Sequence, residues 1–434
     1  MLHARDHRVT VFTQDPVAFQ FFSAQGFQVS RSGEKKASPT FVPIEEFAAR
    51  DCLLAGHPQA SPAMIRRASK PLLRALASLQ QIFEISPPDL VMFHQGRSGL
   101  HQLIHFLARQ HGCPTLHAGE GLLPATIQWD QDGIDGDSSL ARRASSQYEN
   151  KLSDDIFLAA ALSSWLASST PPPLAYRPLT IPRLGSRAGL LLAALSRLDL
   201  PVARRALLGW REAIPERHLP PSACLNIPGQ PYLAVLLQRA DDPRILLDSP
   251  PGSCPDQLAL ATVHAAQQLG SKMPVVGIMP PDGLPRRSMR LLEKCGVLLH
   301  DAATAPHILA TALAVTTVNA GLGIGAVLAG TPLLNTGRSP WAIPGISHPT
   351  SIENLAQDLP AALGHDPSAF RESFLTRILL HDHVWCSMTH PDQNGISGIV
   401  AGIEQRLTGG PSTPAAYRPG PVWPLQAETL KGIW

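Results

Sequence analysis

The sequence predicts an α/β protein of two domains whose parallel sheets face a central cleft. Three observations carry this expectation. The chain has 434 residues, more than one hydrophobic core normally organises, so two domains of roughly 150 to 200 residues are expected. Short apolar runs alternate with helical patterns up to residue 120, the rhythm of strands joined by covering helices. The same alternation resumes near residue 231, after an interval rich in Pro and Arg. The boundaries expected are 1–150 for the first domain, 151–222 for a linker with a helical insertion, 223–405 for the second domain and 406–434 for a tail.

Taken in order, "HRVTVFT" reads as a short buried strand. "DPVAFQFFSAQG" reads as a helix with Asp15 as its N-cap, Pro16 at the first helical position and Gly26 at its end. "FQVSR" is a second strand. Residues Pro62 to Ile85 carry apolar side chains at helical spacing, with a break or kink expected at Pro71. "PPDLVMFHQG" is a strand entering a turn, "GLHQLIHFLARQHG" a helix capped by Gly112, and "CPTLHAGEG" the next strand. In the second half, "PYLAVLLQ", "MPVVGIMPP", "VLLHD", "AVTTVN" and "PLLNTG" read as strands. "CPDQLALATVHAAQQLG", "RRSMRLLEKCG", "APHILATA" and residues Gly323 to Gly330 supply the helices between them.

Composition narrows the function classes. Hydrophobic residues make up 44% and charged ones 16%, which suits a soluble globular chain, and 42 prolines imply many rigid loops. A net charge of +2, with no Lys/Arg run interleaved with aromatics, argues against nucleic acid. The cysteines (Cys52, Cys113, Cys224, Cys254, Cys295 and Cys386) are widely spaced with no C-x-x-C pair, as expected of reduced thiols in a cytoplasm. The N-terminus lacks a signal-peptide pattern, and no run of about 18 apolar residues is free of charge. Residues 141 to about 220 hold "STPPPLAYRP" and then a Leu-rich stretch with seven Arg between Arg183 and Arg217. Two readings stand: a linker with a solvated helix face, or a basic amphipathic surface that touches a membrane.

Glu120, Gln238, the turn from Met279 to Asp282, and Asn319 all follow predicted strands. Ligands of parallel α/β sheets bind at those strand ends, so the convergence places a site in the inter-domain cleft. Glu120 is either a turn carboxylate accepting backbone N–H groups or a nucleophile or general base toward a sugar. In "VNAGLGIGA", Gly321 and Gly323 either bring backbone N–H groups to a phosphate of a nucleotide sugar or let a helix pack on the sheet. "FHQGRSGLH" gathers His94, Gln95, Arg97 and His101 at a strand end, for acceptor binding or as a hydrogen-bonded loop. His381, Asp382 and His383 in "HDHVWCSMTH" have no third ligand at metal spacing, so no metal is expected.

These residues together form a resemblance. "VFTQDPVAFQFFSAQGFQV", "AGEGLLPATIQWDQDGIDGDSSL", "YLAVLLQRADDPRILLDSP" and "LHDAATAPHILATALAVTTVNAGLGIGAVLAGTPLLNTGRSPWAIPGIS" resemble, in order and spacing, segments of the bacterial capsule polysaccharide biosynthesis proteins. That group includes the β-Kdo transferases. The resemblance covers most of residues 9 to 140 and 230 to 348. It implies a GT-B-like pair of Rossmann-like domains that transfers a sugar from a nucleotide donor, CMP-linked in the characterised branch, to a lipid or glycan acceptor. No cofactor is implied, and the location implied is cytoplasmic, at the inner-membrane surface. Glu120 falls on the family's motif carboxylate. Gln238, Pro280, Asp282 and Asn319 fall on the donor pocket, with the backbone at Gly321 and Gly323 near the phosphate, while His94, Gln95 and Arg97 are acceptor-side candidates. In the third quoted segment, "RILLD" falls where the family has a strand.

The chain departs from this pattern where Met279 replaces a phosphate-contacting His, Ala320 a Ser, Gly119 an acidic residue and Leu123 an Arg. Each lost phosphate contact would cost about 1.5–3 kcal/mol. The two functions expected are therefore a glycosyltransferase of surface-polysaccharide assembly, or a catalytically degenerate relative acting as a binding or scaffold subunit.

Overall fold

The computed structural model describes residues 2, 6–14, 16–30, 41–57, 59–123, 126–149, 228–250, 253–270, 273–281, 283–364, 368–378, 382–386 and 393–408. The linker expected at 151–222, the basic stretch from Arg183 to Arg217, Asp15, Asp282 and all but the first residues of the tail lie outside them.

The N-terminal unit opens with β1 (Thr10–Phe12), α1 (Pro16–Ala24) and β2 (Gln28–Ser30), whose strands form a small parallel sheet. Next come α2 (Ile44–Leu54), α3 (Pro62–Ile85), β3 (Val91–His94), α4 (Gly99–Gln110), β4 (Thr115–Glu120) and β5 (Thr126–Asp130). Ser61 caps α3 by accepting from the Met64 N–H, and Pro62 sits at its start, where a missing N–H costs nothing. Of the break or kink expected at Pro71, the break does not occur: α3 runs continuously through it. It buries Leu72, Leu76, Leu79 and Phe83 against Leu103 and Leu107 of α4, and this apolar contact outweighs the one missing helical bond.

Strands β3 and β4 are parallel, but β5 runs antiparallel to β4. The predicted neighbours β3 and β4 pair in parallel as expected, while β5, a strand the sequence did not announce, is antiparallel because of chain length. Only residues 121–125 connect β4 to β5, whereas a parallel return needs a crossover of a dozen or more residues.

The second unit is a six-stranded, wholly parallel sheet in the order β11-β10-β9-β6-β7-β8. It contains β6 (Leu233–Leu236), α5 (Pro243–Asp248), α6 (Pro255–Leu269), β7 (Val275–Ile278), α7 (Arg286–Lys294) and β8 (Val297–His300). Then follow α8 (Ala305–Thr311), β9 (Ala314–Thr317), α9 (Gly323–Ala329), β10 (Leu333–Asn335), β11 (His348–Pro349), α10 (Leu355–Leu363) and α11 (Ser368–Arg377). Its central strands LAVL, VVGI and AVTT are buried at every position, as a sheet covered on both faces requires. The "RILLD" run, expected as a strand by resemblance, is helix α5. Asp242 caps it by accepting from the Arg244 N–H at 2.8 Å, and Pro243 occupies its first turn.

The chain then returns to the first unit. β12 (His383–Trp385) pairs antiparallel with β5, completing a sheet of order β12-β5-β4-β3. α12 (Gln393–Leu407) follows, with Ile403 in the apolar cluster around Trp129. A Cβ on Gly402 would lie 2.6 Å from the Trp129 ring, so the close packing of α12 requires glycine there. β12 and α12 thus sit on the N-terminal sheet, whereas the second domain expected from the sequence ran from 223 to 405. Among the described residues no helix is long and apolar enough to cross a membrane.

Candidate functional site

Glu120 is the last residue of β4, half-buried, between Gly119 and Gly121. Both glycines are dictated by packing. A Cβ at Gly119 would press on Ile134 at 3.0 Å, and one at Gly121 would overlap Thr126 and His383. The Gly121 N–H donates to the Thr126 carbonyl at 2.8 Å, and the Leu122 N–H donates to Nε2 of His383 at 3.0 Å. Burial lowers the His383 pKa to about 4, so the ring stays neutral and able to accept. Next to it, Asp382 takes a bidentate pair from Arg143 at 2.7 and 2.9 Å. Asp382 and His383 therefore brace the Glu120 turn. Among the described residues no group of three His, Cys, Asp or Glu is arranged to hold a metal ion.

Glu120 lines a pocket between the two units with Gln95, Arg97 and Asp135 from the first and Asp242 and Arg244 from the second. Its volume is about 20 Å³, room for about one water. Two of its lining residues, Gln95 (φ 61°) and Asp135 (φ 51°), hold left-handed backbone without being glycine. Such conformations cost about 1–3 kcal/mol each and gather at functional sites.

An ionic network closes this pocket. Arg97 donates to Asp248 of the second unit at 2.6 Å and lies 3.0 Å from Asp135. Arg244 pairs with Asp135 across the units at 3.2 Å. Asp137 meets Arg50 at 2.6 Å and Arg338 of the second unit at 3.3 Å, and Arg338 also reaches Asp248 at 3.3 Å. A Cβ at Gly136 would fall 2.7 Å from the Asp248 carboxyl carbon, so glycine lets the units meet. Burial pushes Asp135 up, but Arg244 and Arg97 outweigh it and hold its carboxyl below the usual range. Asp137 behaves alike, with burial outweighed by Arg50 first. Asp248 goes the other way: burial, reinforced by Asp135 and Asp137, outweighs Arg97 and lifts it to about 6.

Two larger chambers flank the network. One, of about 240 Å³, lies on the first unit and is lined by Arg50, Gln95, Arg97, His105, Arg109 and Arg142 among others. The other, of about 430 Å³, lies at the ends of β10 and β11 and is lined by Asp248, Ser249, Asn335, Thr336, Arg338 and Thr350 among others. The Arg97–Asp248 pair joins a wall residue of each chamber.

The sequence-derived candidates divide. Glu120, Gln95 and Arg97 meet in the cleft, whereas His94 is exposed and lines none of these three pockets. Gln238 and Asn319 bond to one another, Nε2 to Oδ1 at 3.0 Å and Asn319 N–H to Oε1 at 3.1 Å, and Asn319 also donates to the Arg244 carbonyl at 2.8 Å. They tie the ends of β6 and β9 to α5, the helix that carries Arg244. The N–H groups of Gly323, Ile324 and Gly325 are already bonded to local carbonyls. A Cβ at Gly323 would lie 2.9 Å from the Trp341 ring nitrogen, so this glycine answers to packing. Gly321 is buried in the preceding turn, and Pro280 is half-buried after β7. Met279 is a core residue, 5% exposed. Sequence reading did not single out Asp135, Asp137, Arg244, Asp248 or Arg338. The alternating carboxylates of "DGIDGD" and the Asp-Pro start of α5 were the available signals.

No family model and no curated protein sequence matches the chain. Solved structures similar to it include the β-Kdo 2,7-transferase of Thermosulfurimonas dismutans KpsC, at 10% identity over 92% of this chain and 100% of that one, TM-score 0.38. The β-Kdo 2,4-transferase of the same protein is similar at 10% identity over 90% and 97%, TM-score 0.34. UDP-GlcNAc 2-epimerase of Neisseria meningitidis, bound to UDP-GlcNAc, is similar at 11% identity over 86% and 88%, TM-score 0.27.

Proposed function

We propose that the chain is a glycosyltransferase of surface-polysaccharide assembly that takes a nucleotide sugar in the second unit and an acceptor in the first. The observation that carries this reading is the pocket where Glu120, Gln95 and Arg97 meet Asp242 and Arg244, between two chambers on opposite units. The chamber at the ends of β10 and β11 takes the nucleotide, since ligands of parallel sheets bind at the carboxyl ends of strands. Glu120 is the nucleophile or general base, a role that needs a positioned carboxylate with access to the cleft. The resemblance favours a CMP-linked, Kdo-like donor and a lipid or glycan acceptor. Transfer requires the ionic wall to open, because a 20 Å³ pocket admits no sugar.

The second reading, a binding subunit without catalysis, is favoured by the burial of Met279 and by the mutual bonding of Gln238 and Asn319. Release of free nucleotide from CMP-linked and UDP-linked sugars, with and without acceptor glycolipid, separates the two. Turnover that disappears in Glu120→Gln supports the enzyme. A folded protein with no turnover on any donor supports the binding subunit.

A further inference from the structure

One face of the N-terminal unit is explained neither by the cleft nor by the core. On α3, the residues Arg66, Arg67, Lys70, Leu73 and Arg74 are exposed and recur at three- and four-residue intervals, so they form one stripe along the helix. The helix holds no acidic residue before Glu84. None of the four cations pairs with a carboxylate among the described residues. Leu73, 50% exposed, stands between Lys70 and Arg74. Beside this stripe the Gln14 side chain donates to the Pro71 carbonyl at 3.1 Å, which brings the start of α1 to the middle of α3. Just over one turn into α1, Phe21 is 59% exposed, its ring edge-on to Phe22, and Phe27 is 39% exposed.

We propose that the exposed face of α3, with the aromatic edge of α1, docks the protein on an anionic lipid surface. Charge complementarity selects this occupant: four cations with no carboxylate partner among the described residues face outward, in a chain whose net charge is only +2. The apolar members decide between polyanions. An aliphatic Leu73 within the cationic stripe gives a nucleic acid nothing to pair or stack with, but it enters an acyl boundary, as does the Phe21 ring. The docking face belongs to the unit that carries the acceptor-side chamber, yet it stands whether or not the chain transfers sugar.

The test is sedimentation of the full chain with vesicles of phosphatidylcholine alone and of phosphatidylcholine with 30 mol% phosphatidylglycerol, at low and high salt. Binding to the anionic vesicles, weakened by salt, is expected. The substitutions Arg66→Gln, Arg67→Gln, Lys70→Gln and Arg74→Gln are each expected to weaken partitioning by roughly fivefold, from about 1 kcal/mol per surface cation. Together they should reduce it more than a hundredfold. Phe21→Ser should weaken binding at both salt concentrations, the sign of an apolar contribution. Thermal melting of each variant verifies that it is folded. Equal binding of the four-fold variant and the wild type would overturn the proposal and locate any affinity elsewhere, as in the Arg183–Arg217 stretch. Failure of the wild type to bind anionic vesicles, or equal binding to neutral ones, would overturn it too.

Discussion

Replacing Arg97 by Ala removes the cation at the centre of the inter-unit network. The Asp248 side chain is fully buried, and its remaining cation, Arg338 at 3.3 Å, is 57% exposed. Breaking a buried pair by deleting one partner leaves an uncompensated charge and costs about 3–5 kcal/mol. Solvent screening is weak here because the Arg97 side chain is itself only 7% exposed. The wild-type Asp248 already has its folded pKa lifted from the ordinary carboxylate value to about 6. The folded state therefore binds more protons than the unfolded one across that window, and the contribution of Asp248 to stability falls as pH rises through it. Without Arg97 the carboxyl rises further, so acidification from pH 7.5 to 5.5 should restore part of the loss. Urea unfolding of wild type, Arg97→Ala, Asp248→Ala and the double variant at both pH values measures this. The double variant should lose less than the sum of the single ones, because Arg97 and Asp248 are coupled. A loss under about 1 kcal/mol, additive single effects and no recovery on acidification would refute the network as the tie between the units.

Glu120→Gln should leave the melting temperature within a degree or two, and sugar transfer, measured by released nucleotide, should fall roughly 10²–10⁴-fold. Gly136→Ala should destabilise by about 1–3 kcal/mol in urea unfolding, because its methyl would meet the Asp248 carboxyl at 2.7 Å. His383→Ala leaves the buried Leu122 N–H without its acceptor, for about 1–3 kcal/mol, and should speed hydrogen exchange at the Glu120 turn. Since the folded pKa of His383 is depressed to about 4, its contribution to wild-type stability is full above pH 6.5 and is lost as pH falls toward 4. The stability–pH curve of His383→Ala should be correspondingly flatter in that range.

How much of this was legible in the sequence depends on whether the cause was local. The buried runs LAVL, VVGI and AVTT announced the parallel sheet because a strand covered on both faces needs no polar alternation. "RILLD" was harder, since a short apolar run fits a strand or a helix equally. The Asp242-Pro243 pair, a capping signal, would have decided it. That Glu120, Gln95 and Arg97 would meet in the cleft was legible, because each lies at or just after a strand end and strand ends are where such sheets bind ligands. Their partners were not. Asp248 lies 151 positions from Arg97, and nothing local to "LLDSP" marks its carboxylate as one that crosses to another unit. Gln238 and Asn319 were placed correctly at strand ends, but their mutual bonding is a tertiary fact. From sequence alone His383 suggests only a metal ligand, because its role as acceptor for Leu122 depends on β12 returning to the first sheet.

Thermal-shift titration with CMP, CDP, UDP and GDP decides whether the cleft beside Glu120 serves a nucleotide sugar. One of them should give a saturable upward shift, amounting to about 2.7 kcal/mol of added stability at a hundredfold excess over Kd. The shift should persist in Glu120→Gln, which keeps the binding chamber intact while transfer is lost. The absence of a shift with all four nucleotides, in protein that melts cooperatively, would rule out a nucleotide-sugar site there.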